Sequence, residues 1–166
     1  MPVKRILLLG DPRLLEVSEP VREAELGGLA AVTGDLHDTL MAFRAERGFG
    51  RAVAAPQIDV RKRIVYMFID EPTVFFNPEL VDKSEEVVEI WDDCMSFPDL
   101  LVRVRRHRQC TIRYRDAAWS ERSMRLEGDL AELLQHEVDH LDGILAVERA
   151  IDGRSYALRS ERGRLG

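Results

Sequence analysis

The pentapeptide His-Glu-Val-Asp-His at residues 136–140 constrains this chain more than any other feature. Two histidines four residues apart, His136 and His140, lie on one face of a helix, so both imidazole rings can bind one metal ion. Glu137 stands beside the first ring and can accept a proton from a water molecule that the metal activates. The chain has only four histidines, and a chance match is expected in roughly one chain in a hundred of this composition. The motif therefore predicts a metal-dependent hydrolase.

The residues around this motif favour a helix. An apolar stripe with helical spacing is formed by Leu130, Leu133, Leu134 and Leu141. Asp129 followed by Glu132 resembles a capping box, which predicts that the helix begins at Leu130. Glu137 falls within the apolar stripe, where a carboxylate is costly without a partner or a metal, whereas Asp139 falls on the opposite face and is expected to be solvated. Two core histidines beside an ion-paired glutamate are the alternative interpretation of the motif.

Two histidines do not complete a hydrolytic metal site, which usually has three protein ligands and one open position for water. Residues 141–145 contain no third histidine at the spacing that long-helix metalloproteases use. Cys94 is the best remaining candidate, because it follows a strand-like run at residues 86–91 and precedes a turn at Pro98. A small buried thiol is the alternative reading of Cys94.

Three motifs in a fixed order resemble those of the peptide deformylase family. That family carries a glycine-rich segment ending in Ala-Ala-x-Gln, then Glu-Gly-Cys-Leu-Ser, then His-Glu-x-x-His with aspartate before the second histidine. Here residues 50–57 read Gly-Arg-Ala-Val-Ala-Ala-Pro-Gln, residues 92–96 read Asp-Asp-Cys-Met-Ser, and residues 136–140 supply the third motif. The similarity extends from about residue 6 to residue 150, so it covers most of the chain.

The resemblance implies a role for each of six residues. One divalent metal ion, Fe²⁺ or Zn²⁺, would be bound by Cys94, His136 and His140. Glu137 would accept the proton of the attacking water and deliver it to the leaving amine. Gln57 and the backbone N–H of Met95 would hydrogen-bond the developing oxyanion.

The implied reaction is removal of the N-formyl group from the initiator methionine of newly made polypeptides, so N-formylmethionyl nascent chains would be the partners. Leu133 lies one helical turn before the motif and would line the methionine pocket, with plain core packing as the alternative. Residues 48–53, including Gly50 and Val53, would run along the extended substrate backbone as a strand.

Three departures from the family pattern leave more than one substrate compatible with the sequence. Asp93 stands where the family has glycine, Asp92 replaces glutamate, and Ala52 replaces the second glycine of the first motif. In the resemblance the carboxylate of Asp92 pairs with Arg106, although a solvated arginine is the alternative. Two other functions therefore stay open: a related metal amidase acting on another N-acyl small molecule or peptide, and a non-catalytic, metal-stabilised module that binds peptide N-termini.

Composition is typical of one compact enzyme domain. The chain has 166 residues, a net charge of −6 and a pI of about 5.3, which argues against a DNA-binding surface. No apolar run reaches membrane-spanning length, and the apolar run at residues 6–9 is too short for a secretory signal. Cys94 and Cys110 do not make a disulfide framework. These features together predict a cytoplasmic location.

The pattern of elements predicts an α+β fold in which mixed or antiparallel sheets pack around a central metal-binding helix. A helix is expected at 24–47 and strands at 64–69, 74–76, 86–91, 101–105 and 110–115. Residues 1–151 would form a single deformylase-like catalytic domain. Residues 152–166 would form a basic C-terminal tail, expected to be frayed or disordered, and its basic residues suggest a transient contact with ribosomal RNA near the nascent chain. Four arginines make it basic: Arg154, Arg159, Arg162 and Arg164.

Overall fold

The computed structural model describes residues 3–166. These residues contain two α-helices and eight strands, and the strands form two antiparallel sheets, which confirms the α+β prediction. The helices are α1 (Leu26–Arg47) and α2 (Asp129–Leu141), and the strands are β1 (Ala52–Ala54), β2 (Ile64–Phe68), β3 (Pro72–Val81), β4 (Val87–Asp92), β5 (Leu100–His107), β6 (Gln109–Arg115), β7 (Glu121–Glu127) and β8 (Tyr156–Leu158).

The larger sheet has the strand order β1-β2-β3-β6-β7 and separates the two helices. Successive side chains of β2 point to opposite faces, as the two-residue period of a strand requires. Ile64 and Tyr66 pack into the core beneath α1 with Leu36 and Leu40. The alternate side chains of β2 enter a second core with Leu134 of α2. Both faces of this sheet are therefore buried, which explains why β2 is an almost continuous apolar run.

The predicted helix at 24–47 is present, but it begins two residues later than expected. Residues Glu23–Glu25 form a 3-10 turn, and α1 begins at Leu26. The helix ends at Arg47 and is capped by Gly48, whose φ of 78° lies in the left-handed region that glycine adopts readily. Within residues 3–166 no helix is both long enough and apolar enough to cross a membrane.

The smaller sheet has the order β4-β5-β8 and positions the segment that carries Cys94. All five predicted strands are present, and Cys110 is a buried thiol on β6. Strands β7 and β8 were not predicted. The segment after residue 151 differs from the expected frayed tail, because β8 pairs with β5 through Leu100 and Leu158. A 3-10 turn at Arg159–Arg164 follows β8.

The start of α2 differs from the predicted capping box. The helix begins at Asp129 and its N-cap is Gly128, which makes no side-chain capping bond. Glu132 instead accepts a hydrogen bond from Nη2 of Arg51 at 2.9 Å. Because that partner is distant in sequence, local spacing alone could not reveal it.

The prediction that Asp139 is solvated is wrong. Its carboxylate is buried and accepts hydrogen bonds from Arg106 at 2.6 Å and from Arg149 at 2.6 and 2.8 Å. Helical periodicity correctly puts Asp139 opposite the apolar stripe. That face is covered by β5 and by the 3-10 turn Ala146–Arg149, so both faces of α2 are buried.

Candidate metal centre

Three buried side chains from two distant segments converge on one point. Cys94 lies just after β4, and His136 and His140 lie one turn apart on α2. The Sγ atom of Cys94 is 3.3 Å from Nε2 of His140, and the two Nε2 atoms are 3.1 Å apart. The same three residues form a group whose candidate ligand atoms all lie within 4.8 Å of one another.

The spacing and chemistry of these donors fit one metal ion. A tetrahedral ion with bonds of about 2.0–2.3 Å holds its ligand atoms roughly 3.3–3.7 Å apart, close to the separations between Cys94, His136 and His140. Within residues 3–166, Oε2 of Glu137 and Nδ1 of His140 are buried without a hydrogen-bond partner. Thiolate and imidazole donors suit Fe²⁺ or Zn²⁺ better than the harder ions Mg²⁺ and Ca²⁺.

A chain of buried charges orients the first histidine. Nδ1 of His136 donates to Oδ2 of Asp92 at 2.9 Å, and Nη2 of Arg106 donates to the same oxygen at 2.8 Å. Burial opposes ionisation of Asp92, but His136 and Arg106 outweigh it and hold its pKa below the usual range. Burial also opposes protonation of His136, but the nearby carboxylate of Asp92 and the sulfur of Cys94 outweigh it and raise the pKa of His136. The predicted Asp92–Arg106 pair is thus confirmed. The carboxylate of Asp92 raises the basicity of the His136 ring, which makes that ring a stronger metal ligand.

The second histidine sits in a different electrostatic environment. Burial and the proximity of His136 both lower the pKa of His140. A neutral imidazole has a free lone pair, which is the form that binds a metal. Its Nε2 atom faces Cys94 and His136, as a shared ligand set requires.

Glu137 is a buried carboxyl beside this group. Its side chain is 4% exposed, and burial is the main reason that its pKa is raised from 4.5 to about 7. A carboxyl with a pKa near neutrality can both accept and release a proton at physiological pH. This is the property that a general acid and base needs.

The other predicted contributors to the site lie around Cys94. Gln57 is buried, and its amide nitrogen donates to Oγ of Ser96 at 3.1 Å and lies 3.6 Å from Sγ of Cys94. Its amide oxygen accepts from the backbone N–H of Ala54 at 2.9 Å, which fixes the side-chain orientation. Met95 follows Cys94 directly and is also buried. The structure therefore brings Gln57 and Met95 to the candidate metal group.

The loop at residues 93–98 carries Cys94 and is tied to the N-terminal part of the chain. The backbone N–H of Leu9 donates to the carbonyl of Ser96 at 2.8 Å. Asp93 is not among the described non-glycine residues with positive φ. Its backbone therefore needs none of the conformational freedom of the glycine that it replaces.

A cavity of about 610 Å³ opens onto this group. Gly50 and Leu133 line it, together with Cys94, His136 and Glu137. Leu133 also packs in the core beneath the larger sheet, so this side chain both lines the cavity and contributes to the core.

Val53 has a different position from the other predicted substrate residues. Its side chain is fully buried in the core with α1, and it is not among the residues that line the cavity. Ala52, its neighbour in β1, does line the cavity. The two adjacent side chains thus occupy opposite faces of the strand.

Several cavity residues were not singled out from the sequence. Phe49 and Ile69 provide apolar surface, and Arg159 and Arg162 reach the cavity from the 3-10 turn that follows β8. No local pattern distinguishes these two arginines from the other basic residues of the tail. Only the pairing of β8 with β5 brings them to the cavity.

Comparison with known proteins identifies the family. A sequence profile described as polypeptide deformylase matches residues 3–155. The peptide deformylase of Pseudothermotoga lettingae is 35% identical over 159 residues, covering 96% of this chain and 90% of that protein. A peptide deformylase-like protein of Brucella melitensis is 37% identical over 152 residues, covering 90% of this chain and 89% of its own. The crystal structure of peptide deformylase from Thermotoga maritima matches with a TM-score of 0.84 at 27% identity, covering 92% of this chain and 100% of that one. The chain belongs to the polypeptide deformylase family.

Proposed function

We propose that this chain hydrolyses the N-formyl group from the initiator methionine of newly made polypeptides, releasing formate and a free amino terminus. The observation that carries the proposal is the convergence of Cys94, His136 and His140 beside the buried carboxyl of Glu137. The cavity that reaches this group has room for a methionyl side chain and a short stretch of peptide.

The roles of the polar groups follow from their positions. Cys94, His136 and His140 would hold one divalent ion, Fe²⁺ or Zn²⁺, which when bound polarises a carbonyl and acidifies water. Glu137 accepts a proton from the attacking water as the new C–O bond forms at the formyl carbon. It then delivers that proton to the leaving nitrogen as the C–N bond breaks, so the carboxylate is regenerated.

Two uncharged N–H donors hydrogen-bond the oxyanion that develops during the reaction. The amide of Gln57 points to the sulfur of Cys94, and its orientation is fixed by Ala54 and Ser96. A donor held in place before the reaction stabilises charge without reorganisation during it. We assign the same role to the backbone N–H of Met95, which follows the cysteine directly.

The substrate side chain and backbone use different parts of the cavity. Leu133 lines the methionine pocket, and Gly50 lies along the substrate backbone at the edge of β1. Val53 supports that edge from the core side. We therefore assign Val53 an indirect role in holding β1, and Gly50 a direct role in contact with substrate.

The first test is deformylation of formyl-Met-Ala-Ser by protein reconstituted anaerobically with Fe²⁺. We expect turnover in the wild type and a loss of about 10²–10⁴-fold in kcat for Glu137→Gln, with metal content unchanged. Glu121→Gln is the matched control, because that carboxylate is exposed and its ion pair with Arg115 lies at the surface.

Each contrary result has a definite meaning. Unchanged kcat in Glu137→Gln would remove the proposed role of this carboxyl. If the metal-loaded wild type shows no turnover, deformylation is excluded and one of the two other functions takes its place. Hydrolysis of other N-acyl substrates would then indicate a related amidase, and binding of peptide N-termini without hydrolysis would indicate a binding module.

We also propose that the protein acts in the cytoplasm and meets nascent chains at the ribosome. The support is chemical: formylated nascent chains are ribosomal products, and Arg154 and Arg164 remain exposed for phosphate contacts. Pelleting with ribosomes at low salt should lose retention in the double variant Arg154→Gln/Arg164→Gln. Retention equal to that of the wild type would exclude contact through these arginines.

A further inference from the structure

We infer that Arg159 is a positioning residue that forms an ion pair with Asp93 on the wall of the active-site cavity. This pair sets the preference of the enzyme for acidic or basic substrate residues beyond the methionine. The inference rests on the proposed function, because it concerns the same cavity. Arg159 itself lies beyond the last residue matched by the family profile.

Arg159 makes three separate contacts with the cavity wall. Its Nη2 donates to Oδ2 of Asp93 at 2.8 Å, and its Nε donates to the carbonyl of Pro98 at 2.7 Å. Its guanidinium carbon lies 3.6 Å from the centroid of the Phe49 ring. A planar fork that donates in two directions while stacking on an aromatic ring is a geometry available to arginine and not to lysine.

The contacts join three parts of the wall that are distant in sequence. Asp93 precedes Cys94 directly, and Phe49 precedes Gly50 and packs edge-on against Phe43 of α1 at 5.0 Å. All of Asp93, Phe49 and Arg159 line the cavity. Arg159 therefore connects the cysteine loop to the segment that runs along the substrate backbone.

The backbone around Arg159 holds the side chain in place. Its N–H donates to the carbonyl of Asp99 at 2.8 Å, and the preceding strand β8 pairs with β5. The side chains of Arg159 and Asp93 are only 24% and 32% exposed. An ion pair that is partly shielded from solvent affects a nearby charged ligand more than a fully exposed one does.

Asp93 has no comparable second partner. Nη1 of Arg162 lies 3.6 Å away, and that side chain is more than half exposed. Without Arg159, the carboxylate of Asp93 would keep only the longer and more exposed contact with Arg162. It would repel acidic substrate residues and attract basic ones.

The test compares two amidated peptides, formyl-Met-Ala-Asp and formyl-Met-Ala-Lys, on the metal-loaded enzyme. In Arg159→Gln we expect kcat/KM to shift toward the lysine peptide by roughly threefold to tenfold relative to wild type. Asp93→Asn/Arg159→Gln should restore the wild-type ratio, because both charges are then removed. Arg159→Lys should keep the ratio, because it keeps the charge.

A second readout does not depend on catalysis. Amide hydrogen exchange of residues 156–164 should be at least about tenfold faster in Arg159→Gln, because the segment loses its side-chain attachment. The matched control is Arg122→Gln, which breaks an arginine–aspartate pair with Asp116 outside this cavity. It should change neither the peptide ratio nor this exchange.

An unchanged peptide ratio in Arg159→Gln would overturn the inference, and so would a shift that Asp93→Asn does not restore. Unchanged exchange would show that Arg159 does not hold the wall. If the wild type turns over neither peptide, the proposed function fails instead. The exchange result, with equilibrium binding of the same two peptides, then decides on Arg159 separately.

Discussion

The ring N–H at Nδ1 of His136 donates to Oδ2 of Asp92 across 2.9 Å, and both side chains are buried. This bond leaves Nε2 of His136 facing Cys94 and His140. A carboxylate behind a ligating histidine fixes the ring orientation and raises its basicity. Asp92 therefore supports the candidate metal centre through His136, although it is not one of the three candidate ligands.

Replacing this carboxylate should weaken metal binding while the fold persists. We expect Asp92→Asn to lower the affinity for Zn²⁺ by about 10–100-fold, because the amide carries no charge and no longer raises the basicity of the His136 ring. Competition with a chromophoric chelator measures the affinity. Asp116→Asn, at a surface pair with Arg122, is the control, and an affinity for Asp92→Asn within twofold of wild type would contradict the prediction.

The buried carboxylate of Asp139 should be important for stability. Its removal in Asp139→Ala leaves Arg106 with one anionic partner in a desolvated site, and we expect a loss of roughly 3 kcal/mol in the free energy of unfolding. Urea denaturation provides the measurement. Asp142→Ala breaks a more exposed pair with Arg63 and should cost less than about 1 kcal/mol. Equal losses for the two variants would be inconsistent with this account.

The turn after α2 should admit only glycine at residue 143. Gly143 has a φ of 71°, and a Cβ there would lie 2.4 Å from the backbone oxygen of Leu15. We expect Gly143→Ala to destabilise the protein by roughly 3 kcal/mol, combining left-handed strain with the clash. Gly153 has open space around it, so Gly153→Ala is the control in a thermal unfolding series. Similar midpoints for the two variants would show that the turn adapts.

The carboxyl of Asp11 should titrate well below its ordinary range. Hydrogen bonds from the Arg13 side chain and then from its backbone N–H lower the pKa of Asp11 from 3.8 to about 2. Because the folded value lies below the unfolded one, the contribution to stability is present above pH 3.8 and is lost as the pH falls through about 2. NMR titration should show this midpoint in wild type and a higher one in Arg13→Gln. Identical midpoints would assign the shift to another group.

Features that depend on local spacing could be predicted from the sequence. Leucine periodicity and the two histidines correctly predicted helix α2. Its predicted start at Leu130 is within one residue of the observed start, although the capping box that suggested it is not formed. Cys94 was predicted from its residue type and its place at a strand end, and Gln57 was predicted from the glycine-rich family motif at residues 50–57. Strand β7 was missed because it lies at the sheet edge and buries only Leu126, which leaves almost no alternating apolar signal.

Features that depend on partners distant in sequence could not be predicted. The burial of Asp139 requires Arg106 from β5 and Arg149 from the turn after α2. The position of Arg159 in the cavity requires β8 to join the smaller sheet. A helical wheel describes one element, and it carries no information about which other elements cover that element.

The loop around Cys94 also has a consequence for the order of folding. Leu9 binds it from near the start of the chain, His140 faces it from α2, and Arg159 binds it from beyond β8. Closing contacts over such long separations is slow, because each one costs chain entropy before packing compensates it. During synthesis these attachments cannot all form until residue 159 has left the ribosomal tunnel. The loop that carries Cys94, and with it the candidate metal-ligand set, therefore reaches its final contacts only after β8 and the turn that follows it have been synthesised.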